Sequence, residues 1–350
     1  MHFTLTDEQR GFARSLDDLL AGADVATVAR AWGAGDHDAG LKLWRRLADL
    51  GVTGLLVPED AGGLGATPVE AVVAWESLGR HAVPGPWVDT AVVTRLLADG
   101  SGPDGLLGAV ADGSAVATLA APPWTPYALD ADVATHVLCL EDGTLHATEV
   151  AGTVASVDPA RRLHRVLAGE DLGTVSADVA GAALDTGALL CAAQLLGLGE
   201  ALLERSVEYV KQRRQFGRVI GEYQALKHAL ADVRIGLDFA RPLVWGAAVA
   251  PASGDDAGRK VSGAKVAAGD AAWRAARTAL QVHGAIGYTA EYDLSLWLLK
   301  VRALTGAWGS PRVHRSRILS SLVETRLVEP VETTEPFDGA QEPPVETREA

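Results

Sequence analysis

Apolar residues recur at helical spacing through the first third of the chain. Thr6 and Gln9 stand three residues apart at the head of an amphipathic stretch that reaches Leu20, which predicts a helix opened by a capping box. Further helices are predicted over residues 41–50 and 69–78, with a turn at the glycine-rich run 62–65. The pattern therefore predicts a helical domain over residues 1–110.

Short apolar runs separated by Asp, Gly and Pro follow between residues 111 and 178. Such runs are typical of β-strands. Five strands are predicted, at residues 115–119, 133–140, 145–150, 153–157 and 163–167. This segment is therefore predicted to form a short middle β domain.

Long helical patterns return from Gly181 onward. One face of the first long helix carries an apolar residue every seven positions: Leu189, Leu196, Leu203 and Val210. A second helix is predicted from Gln224 to an end or kink near Pro242, a third over residues 256–282, and two shorter ones up to Leu322. The predicted fold class is α+β and mainly α, with a C-terminal antiparallel helical bundle over residues 179–326.

The composition and net charge argue against several classes of protein. The chain of 350 residues is 48% hydrophobic, yet no apolar run is long enough to span a membrane and the first residues lack the pattern of a signal peptide. Cys139 and Cys191 lie in apolar runs, as expected for reduced cysteines in the cytoplasm. The net charge of −14 argues against nucleic acid as a partner, and the nine histidines show no metal-ligand spacing. We therefore expect a cytoplasmic protein without a membrane or nucleic-acid partner.

Residues 327–350 carry a large share of the negative charge. They contain seven acidic residues and one arginine among many Pro and Thr residues. Few large apolar side chains are present to offset the entropy lost on ordering, which predicts a disordered acidic tail. A partner-binding peptide is the alternative.

Residues 209–233, YVKQRRQFGRVIGEYQALKHALADV, form the most distinctive stretch of the chain. Three arginines, a Phe-Gly pair, a Tyr-Gln pair and a Lys-His pair lie there between helical runs. A second motif, QVHGAIGYTAE, occupies residues 281–291. In this order the two motifs resemble the acyl-CoA dehydrogenase family, whose second motif reads Q-x-x-G-G-x-G-Y-x-x-E; Ala285 replaces the second glycine. The order of helices, strands and bundle is also similar, so the resemblance covers residues 1–322.

The resemblance implies an FAD site shared between two subunits. Arg213 matches an arginine that pairs with the cofactor pyrophosphate of a neighbouring subunit, and Phe216 matches an aromatic residue packed on the cofactor. Gln281 and Gly284 match the turn near its adenosine end. Taken singly, each has a structural alternative, because arginine complements the negative end of a helix, phenylalanine fills cores, and glutamine and glycine end helices. Their joint occurrence at the family spacing favours cofactor binding.

The carboxylate that removes the α-proton of the thioester in this family has no match. In the commonest branch it is a glutamate ahead of the last helices, and Trp308 stands at that position. In a second branch it lies on the long helix ahead of Tyr209, at the position of Gly187. Asp185 is close by, although two residues along a helix turn it to a different face. The sequence therefore predicts no catalytic residue of the family type.

Two segments that form half of the family's flavin site also have no match in this sequence. The family's middle domain carries a Thr-Glu-Pro-x-x-Gly-Ser-Asp segment and a Trp-x-Ile-Thr segment along the flavin ring. Residues 120–130, AAPPWTPYALD, and 137–148, VLCLEDGTLHAT, stand in their place. The turn DPARR at residues 158–162 either meets CoA phosphates or is a solvated turn.

The leading hypothesis is a non-catalytic subunit of a heteromeric α2β2 acyl-CoA dehydrogenase, resembling those of actinobacteria. A partner subunit would hold the flavin ring, the acyl-CoA thioester and the base, and the resemblance implies an electron-transfer flavoprotein as the re-oxidant. Two alternatives remain open. One is a self-sufficient homotetrameric dehydrogenase with an unrecognised base such as Asp185 or Glu291. The other is a structural or regulatory pseudoenzyme that binds neither flavin nor acyl-CoA.

Overall fold

The computed structural model describes residues 4–98, 102–253 and 256–328. Within them, the N-terminal part is helical: α1 (Asp7–Ala21), α2 (Val25–Gly33), α3 (Asp38–Asp49), α4 (Pro68–Arg80), α5 (Trp87–Leu97) and α6 (Leu106–Ala111). The capping box is confirmed, because the Thr6 hydroxyl accepts from the Gln9 amide at 3.2 Å and the Gln9 side chain accepts from the Thr6 amide at 3.0 Å.

A five-stranded sheet follows. Its strands are β1 (Ala117–Ala120), β2 (Ala128–Leu129), β3 (His136–Glu141), β4 (Thr144–Val154) and β5 (Leu163–Thr174). The order across the sheet is β1-β3-β4-β5-β2, with β1 and β3 parallel and the other pairs antiparallel. The hydroxyl of Thr90 in α5 donates to the Ala117 carbonyl at 2.6 Å, so β1 is tied to the N-terminal helices.

Two strand predictions are corrected. The predicted strand 145–150 and the first two residues of the predicted strand 153–157 belong to one strand, β4, which continues through the irregular pairing at Gly152 and ends at Val154. Residues 155–157 are not in a strand. The two-residue strand β2 was not predicted, since it is too short to show an alternating pattern. The domain boundaries stay a prediction, although strands replace helices between Ala111 and Ala117.

The C-terminal part is a bundle with a small hairpin. Its elements are α7 (Ala177–Gln212), β6 (Arg214–Gln215), β7 (Arg218–Val219), α8 (Gln224–Ser253), α9 (Ala257–His283), α10 (Leu294–Gly306) and α11 (Pro311–Val328). The predicted apolar face of α7 is confirmed, because all four of its marker residues are buried. A Cβ at Gly197 of α7 would lie 2.0 Å from the Glu76 carbonyl, so the backbones of α4 and α7 are in contact. This central helix therefore packs against both parts of the chain.

The apolar composition of α7 follows from that position. Judged only by its length and hydropathy, α7 could cross a membrane. The sequence pattern did not indicate this property. However, 61% of its most apolar window is buried inside the protein. Packing therefore accounts for its hydropathy.

Two helix ends also differ from the predictions. An end or a kink was predicted near Pro242; helix α8 does not end there and continues to Ser253. A proline removes one backbone hydrogen bond, whereas α8 keeps Leu237 and Val244 buried on either side of it, and this packing outweighs the loss. Helix α11 continues through Val328, two residues into the predicted tail; residues 329–350 lie outside the described residues.

Candidate functional site

The two positions at which the family places its catalytic glutamate meet in space. Trp308 lies between α10 and α11, and its side chain is 2% exposed. Its indole packs on Gly187 of α7, where a Cβ would stand 2.3 Å from the ring atom Cε3. The indole therefore fills the volume that a side chain at position 187 would require.

A buried histidine holds Trp308 in this position. Trp308 has a left-handed backbone with φ of 54°, and its carbonyl accepts from Nε2 of His314 at 2.9 Å. Burial lowers the pKa of His314 to about 4, so the ring is neutral near pH 7. With Nε2 protonated, Nδ1 accepts from the Ser262 hydroxyl at 3.2 Å. The turn at Trp308 is thus fixed by α9 and α11 together.

Lys265 closes the end of α10 just ahead of this turn. Its ammonium is buried and donates to the carbonyls of Leu304 at 3.0 Å and Thr305 at 3.3 Å. Burial lowers the pKa of the Lys265 ammonium. The thiol of Cys191 donates to the Leu304 carbonyl at 3.4 Å, and Cys139 is also buried and free, as predicted. The lysine and the thiol thus satisfy carbonyls that the helix end leaves unpaired.

The loop that replaces a flavin-contacting segment of the family folds onto the same place. Trp124 of this loop lies edge-on to His314, with 5.6 Å between ring centroids. A Cβ at Gly309 would lie 3.1 Å from the Trp124 ring and 2.5 Å from His314 Nε2. The Trp124 loop and Gly309 therefore both lie next to His314, beside the turn at Trp308.

The two alternative bases, Asp185 and Glu291, have different surroundings. Asp185 forms a two-point ion pair with Arg317, one arm of which is 3.0 Å long, and the carboxylate raises the pKa of that guanidinium. Glu291 is exposed beside the start of α10, whereas Trp308 follows its end. A helix of 13 residues separates them by about 20 Å. Among the described residues no group of His, Cys, Asp and Glu could hold a metal ion.

The predicted pyrophosphate contact, Arg213, is exposed at the C-terminal end of α7. The hairpin that follows it turns at Phe216 and Gly217, with φ of 51° and 83°, the geometry of a type I′ turn. Left-handed backbone is strained for phenylalanine, and its side chain is 92% exposed. Tyr223 supports the hairpin, because its ring lies 4.0 Å from the Arg218 guanidinium. Phe216 is therefore not a core residue; it projects from a braced tip.

Gln281 and Gly284 are exposed at the C-terminal end of α9, where Gly284 has a φ of 67°. His283 lies between them and packs on Tyr209 of α7, with 4.1 Å between ring centroids. The structure thus brings the two sequence motifs to the same end of the bundle. The contribution of this His–Tyr contact was not predicted, since the two residues are far apart in sequence.

The predicted cofactor-binding residues are accessible to solvent, whereas the two positions of the missing base are buried. Arg213, Phe216 and Gln281 point outward, so a cofactor held on a neighbouring chain can reach them. At the two positions where the family places its base, the Trp308 indole is buried on Gly187 and no carboxylate is present.

The turn at residues 158–162 is not solvated, contrary to one prediction. Asp158 is 1% exposed, and its Oδ2 lies 3.5 Å from Nζ of the buried Lys300 in α10. Arg162 pairs with Asp132 at 2.6 Å. The turn therefore ties the sheet to the bundle, and Arg162 is committed to this ion pair rather than to a CoA phosphate.

Two further carboxyls are buried at this junction. Asp89 of α5 and Asp130, after β2, are 2% and 0% exposed. Burial raises the pKa of each to about 7, against the opposing influence of the nearby Arg161. Each group therefore keeps its proton in the folded protein at pH values at which the unfolded chain has lost it.

Through these two groups we expect the stability to decrease as the pH rises from 3.8 to about 7 and to be level above that window. The folded state binds more protons there than the unfolded state does. The test measures unfolding by urea across this range for the wild type, Asp89→Asn and Asp130→Asn. The difference between variant and wild type should change by up to about 1.4 kcal/mol per pH unit.

The exposed Asp60→Asn provides the control. His314 contributes with the opposite sign, since its pKa is lowered and the stability it confers is lost as the pH falls below its ordinary value. That contribution cancels in the difference between variant and wild type. A difference that does not vary with pH would mean that both carboxyls are already ionised in the folded protein.

Comparison with known proteins identifies the family to which the chain is similar. A model described as the acyl-CoA dehydrogenase N-terminal domain matches residues 6–102, and one described as the C-terminal domain matches residues 177–323. The acyl-CoA dehydrogenase IpdE2 of Mycobacterium tuberculosis is 34% identical over 326 residues, or 92% of this chain and 99% of that protein. The sheet falls between the two matched segments.

Solved structures share the fold. The Tcur3481-Tcur3483 steroid ACAD has a TM-score of 0.83 at 23% identity, covering 93% of this chain and 100% of that one. The ChsE4-ChsE5 complex from Mycobacterium tuberculosis has a TM-score of 0.80 at 24% identity, covering 93% and 99%. With both matched domains and a relative aligned over nearly its whole length, the chain belongs to the acyl-CoA dehydrogenase family.

Proposed function

We propose that this chain is the non-catalytic subunit of a heteromeric, FAD-dependent acyl-CoA dehydrogenase. The observation that carries the proposal is the buried contact of Trp308 with Gly187, at the two positions where the family places its base. An indole cannot accept a proton from carbon, and glycine has no side chain to do so. A dehydrogenase-like partner subunit would therefore supply the base and hold the acyl-CoA thioester.

The role of this chain is to complete the partner's cofactor site. When bound, the flavin supplies the acceptor for the β-hydride of the acyl group. Arg213 presents a permanently charged fork to a pyrophosphate, and the braced hairpin keeps Phe216 in place before the partner arrives. Gln281 offers an amide at the same end of the bundle. These groups bind and orient the cofactor.

Exposed apolar side chains on α8 support the proposal that a partner subunit binds this chain. On α8, Ile235, Phe239 and Leu243 lie four residues apart and are 52%, 73% and 49% exposed. Spacing of this kind forms one stripe on a helix, and contiguous apolar surface of this kind marks interaction sites. Because one solved structure with this fold is named as a steroid ACAD, we propose steroid-derived acyl-CoA as the substrate of the assembly. We further propose a cytoplasmic location and an electron-transfer flavoprotein as the re-oxidant.

The experiment that tests the proposal is the flavin content per chain. The protein is purified alone and after co-expression with a dehydrogenase-like chain encoded beside it, and bound FAD is measured from its absorbance. We expect no flavin on the lone chain and one flavin per heterodimer. Full flavin on the lone chain, with product formed from acyl-CoA, would support a self-sufficient dehydrogenase. A partner that turns over at full rate alone would support a pseudoenzyme.

A further inference from the structure

An open groove of about 730 Å³ runs along the exposed face of α9, and its lining includes Trp273, Arg274, Arg277 and Leu280. Trp273 is 39% exposed, and the guanidinium of Arg302 in α10 lies 5.7 Å from its ring centroid. Leu280 is also exposed. The groove therefore places two arginines beside an apolar surface.

The groove is positively charged in a protein with a net charge of −14. Arg274 and Arg277 stand within one helical turn, and no carboxylate of the described part of the chain forms an ion pair with either guanidinium. Asp270, the acidic residue of the groove, is paired with Arg315 of α11 at 2.9 Å. An acidic segment with an apolar side chain is complementary to this surface.

The segment that follows α11 has this composition. Residues 329–350 contain seven acidic residues and one arginine, and their one aromatic residue is Phe337. The stretch 335–342, EPFDGAQE, surrounds Phe337 with three acidic residues. The match to the acyl-CoA dehydrogenase C-terminal domain ends at residue 323, so this segment lies outside the region matched to the family.

The stretch 335–342 can reach the groove. Helix α11 runs antiparallel to α9, because His314 contacts Ser262 at 3.2 Å and Ser321 contacts Asp256. Arg274 lies 18 residues along α9 from Asp256, and seven residues of α11 follow Ser321. At 1.5 Å per residue, the end of α11 is therefore about 38 Å from Arg274. An extended chain spans this distance in about 12 residues.

An exposed apolar stripe lies between the end of α11 and the groove. Arg315, Leu319 and Leu322 recur at i, i+4 and i+7 and therefore lie on one face of α11. Leu319 and Leu322 are exposed, and Arg315 holds Asp270 of the groove. A segment that follows this stripe back from the end of α11 arrives at the groove.

We propose that residues 335–342 dock in the α9 groove of the same chain. Phe337 packs on Trp273, and the acidic residues on either side of it pair with Arg274 and Arg277. Exposed ion pairs are individually weak, but a short flexible link gives the segment an effective concentration on the order of millimolar. Contacts too weak to hold a free peptide therefore suffice within one chain.

Docking covers part of the proposed cofactor surface, because Gln281 lines the same groove. The docked segment and the FAD of a partner subunit therefore exclude each other, so the segment is released when the heteromer binds its cofactor. This consequence rests on the proposed function. The docking itself rests on the groove, its charges and the reach of the chain.

The test uses the full-length chain with a bimane fluorophore on Ala340→Cys, since both native cysteines are buried. Indole quenches bimane on contact, so we expect quenching at low salt that is lost as salt rises. Trp273→Phe, which removes the indole and keeps an aromatic ring, should abolish the quenching. Arg274→Glu/Arg277→Glu should abolish it by repelling the segment.

A charge swap and a matched control complete the experiment. In the Arg274→Glu/Arg277→Glu chain, Glu335→Lys/Asp338→Lys/Glu342→Lys should restore the quenching. The exposed pair Arg45→Glu/Arg46→Glu on α3 should leave the quenching of the wild-type groove unchanged.

Equal fluorescence of the labelled chain with and without Trp273→Phe, at an unchanged melting temperature, overturns the proposal. Quenching that increases with protein concentration assigns the groove to the segment of a second copy, and it also overturns docking within one chain. These readouts use the lone chain and no flavin, so failure here is distinguishable from failure of the proposed function.

Discussion

Replacing Trp308 with alanine is expected to lower the free energy of unfolding by about 3–5 kcal/mol. The indole is 2% exposed and packs on Gly187 of α7, so its removal leaves a cavity that rigid helices cannot close. The measurement is urea unfolding of the full-length chain. The free energy of unfolding is calculated from the midpoint of the urea transition, with the same dependence of free energy on urea concentration for wild type and variant.

Gly187→Ala tests the same contact from the other side. The added methyl would stand 2.3 Å from the indole, closer than any real contact, and is expected to cost about 1–3 kcal/mol. In the double variant the cavity left by Trp308→Ala accommodates the methyl. The two losses should therefore not add, with a coupling of about 0.5–3 kcal/mol.

Gly181→Ala is the matched control for this cycle. Gly181 lies on the same helix, α7, and a Cβ there meets nothing within 4 Å. Alanine restricts the unfolded chain more than glycine does, so this change should be neutral or stabilise by up to about 1 kcal/mol. Simple additivity of Gly187→Ala and Trp308→Ala would contradict a direct contact between the two positions.

Replacing Arg213 with alanine is expected to weaken FAD binding by the assembled heteromer by at least about tenfold. Loss of one partner of a hydrogen-bonded charge pair typically costs about 2–5 kcal/mol. Arg213 is exposed and begins a hairpin held by Tyr223 and Arg218, so the change should not unfold the chain. The measurement is the dissociation constant of FAD for the complex purified without flavin.

Arg213→Lys tests whether the positive charge alone is sufficient, and an exposed arginine elsewhere on the chain is the control. Arg213→Lys keeps the charge but loses the two-point contact, so its effect should lie between those of wild type and Arg213→Ala. The exposed Arg45→Ala on α3 should leave FAD affinity unchanged. Assembly is checked by gel filtration in each case. Unaltered FAD affinity and dehydrogenation in the Arg213→Ala complex would remove Arg213 from the proposed site.

Much of the fold could be predicted from local pattern. The apolar face of α7 and the capping box at Thr6 depend on residues within a few turns of one another, and both are confirmed. Predictions were wrong where a local signal conflicted with packing. Pro242 indicated a helix end or a kink, yet the helix does not end there, because residues on both sides of Pro242 are buried. Gly152 indicated a turn, yet pairing with β5 keeps β4 continuous.

The sequence by itself determined the family resemblance and the absence of a glutamate at both catalytic positions, because motif spacing and residue identity are properties of the chain alone. Only the tertiary structure decided that Trp308 fills the space above Gly187, that Arg317 neutralises Asp185, and that Phe216 is exposed. Each of these facts concerns residues on different elements or their access to solvent. Periodicity within one helix carries no information about which neighbour packs against it.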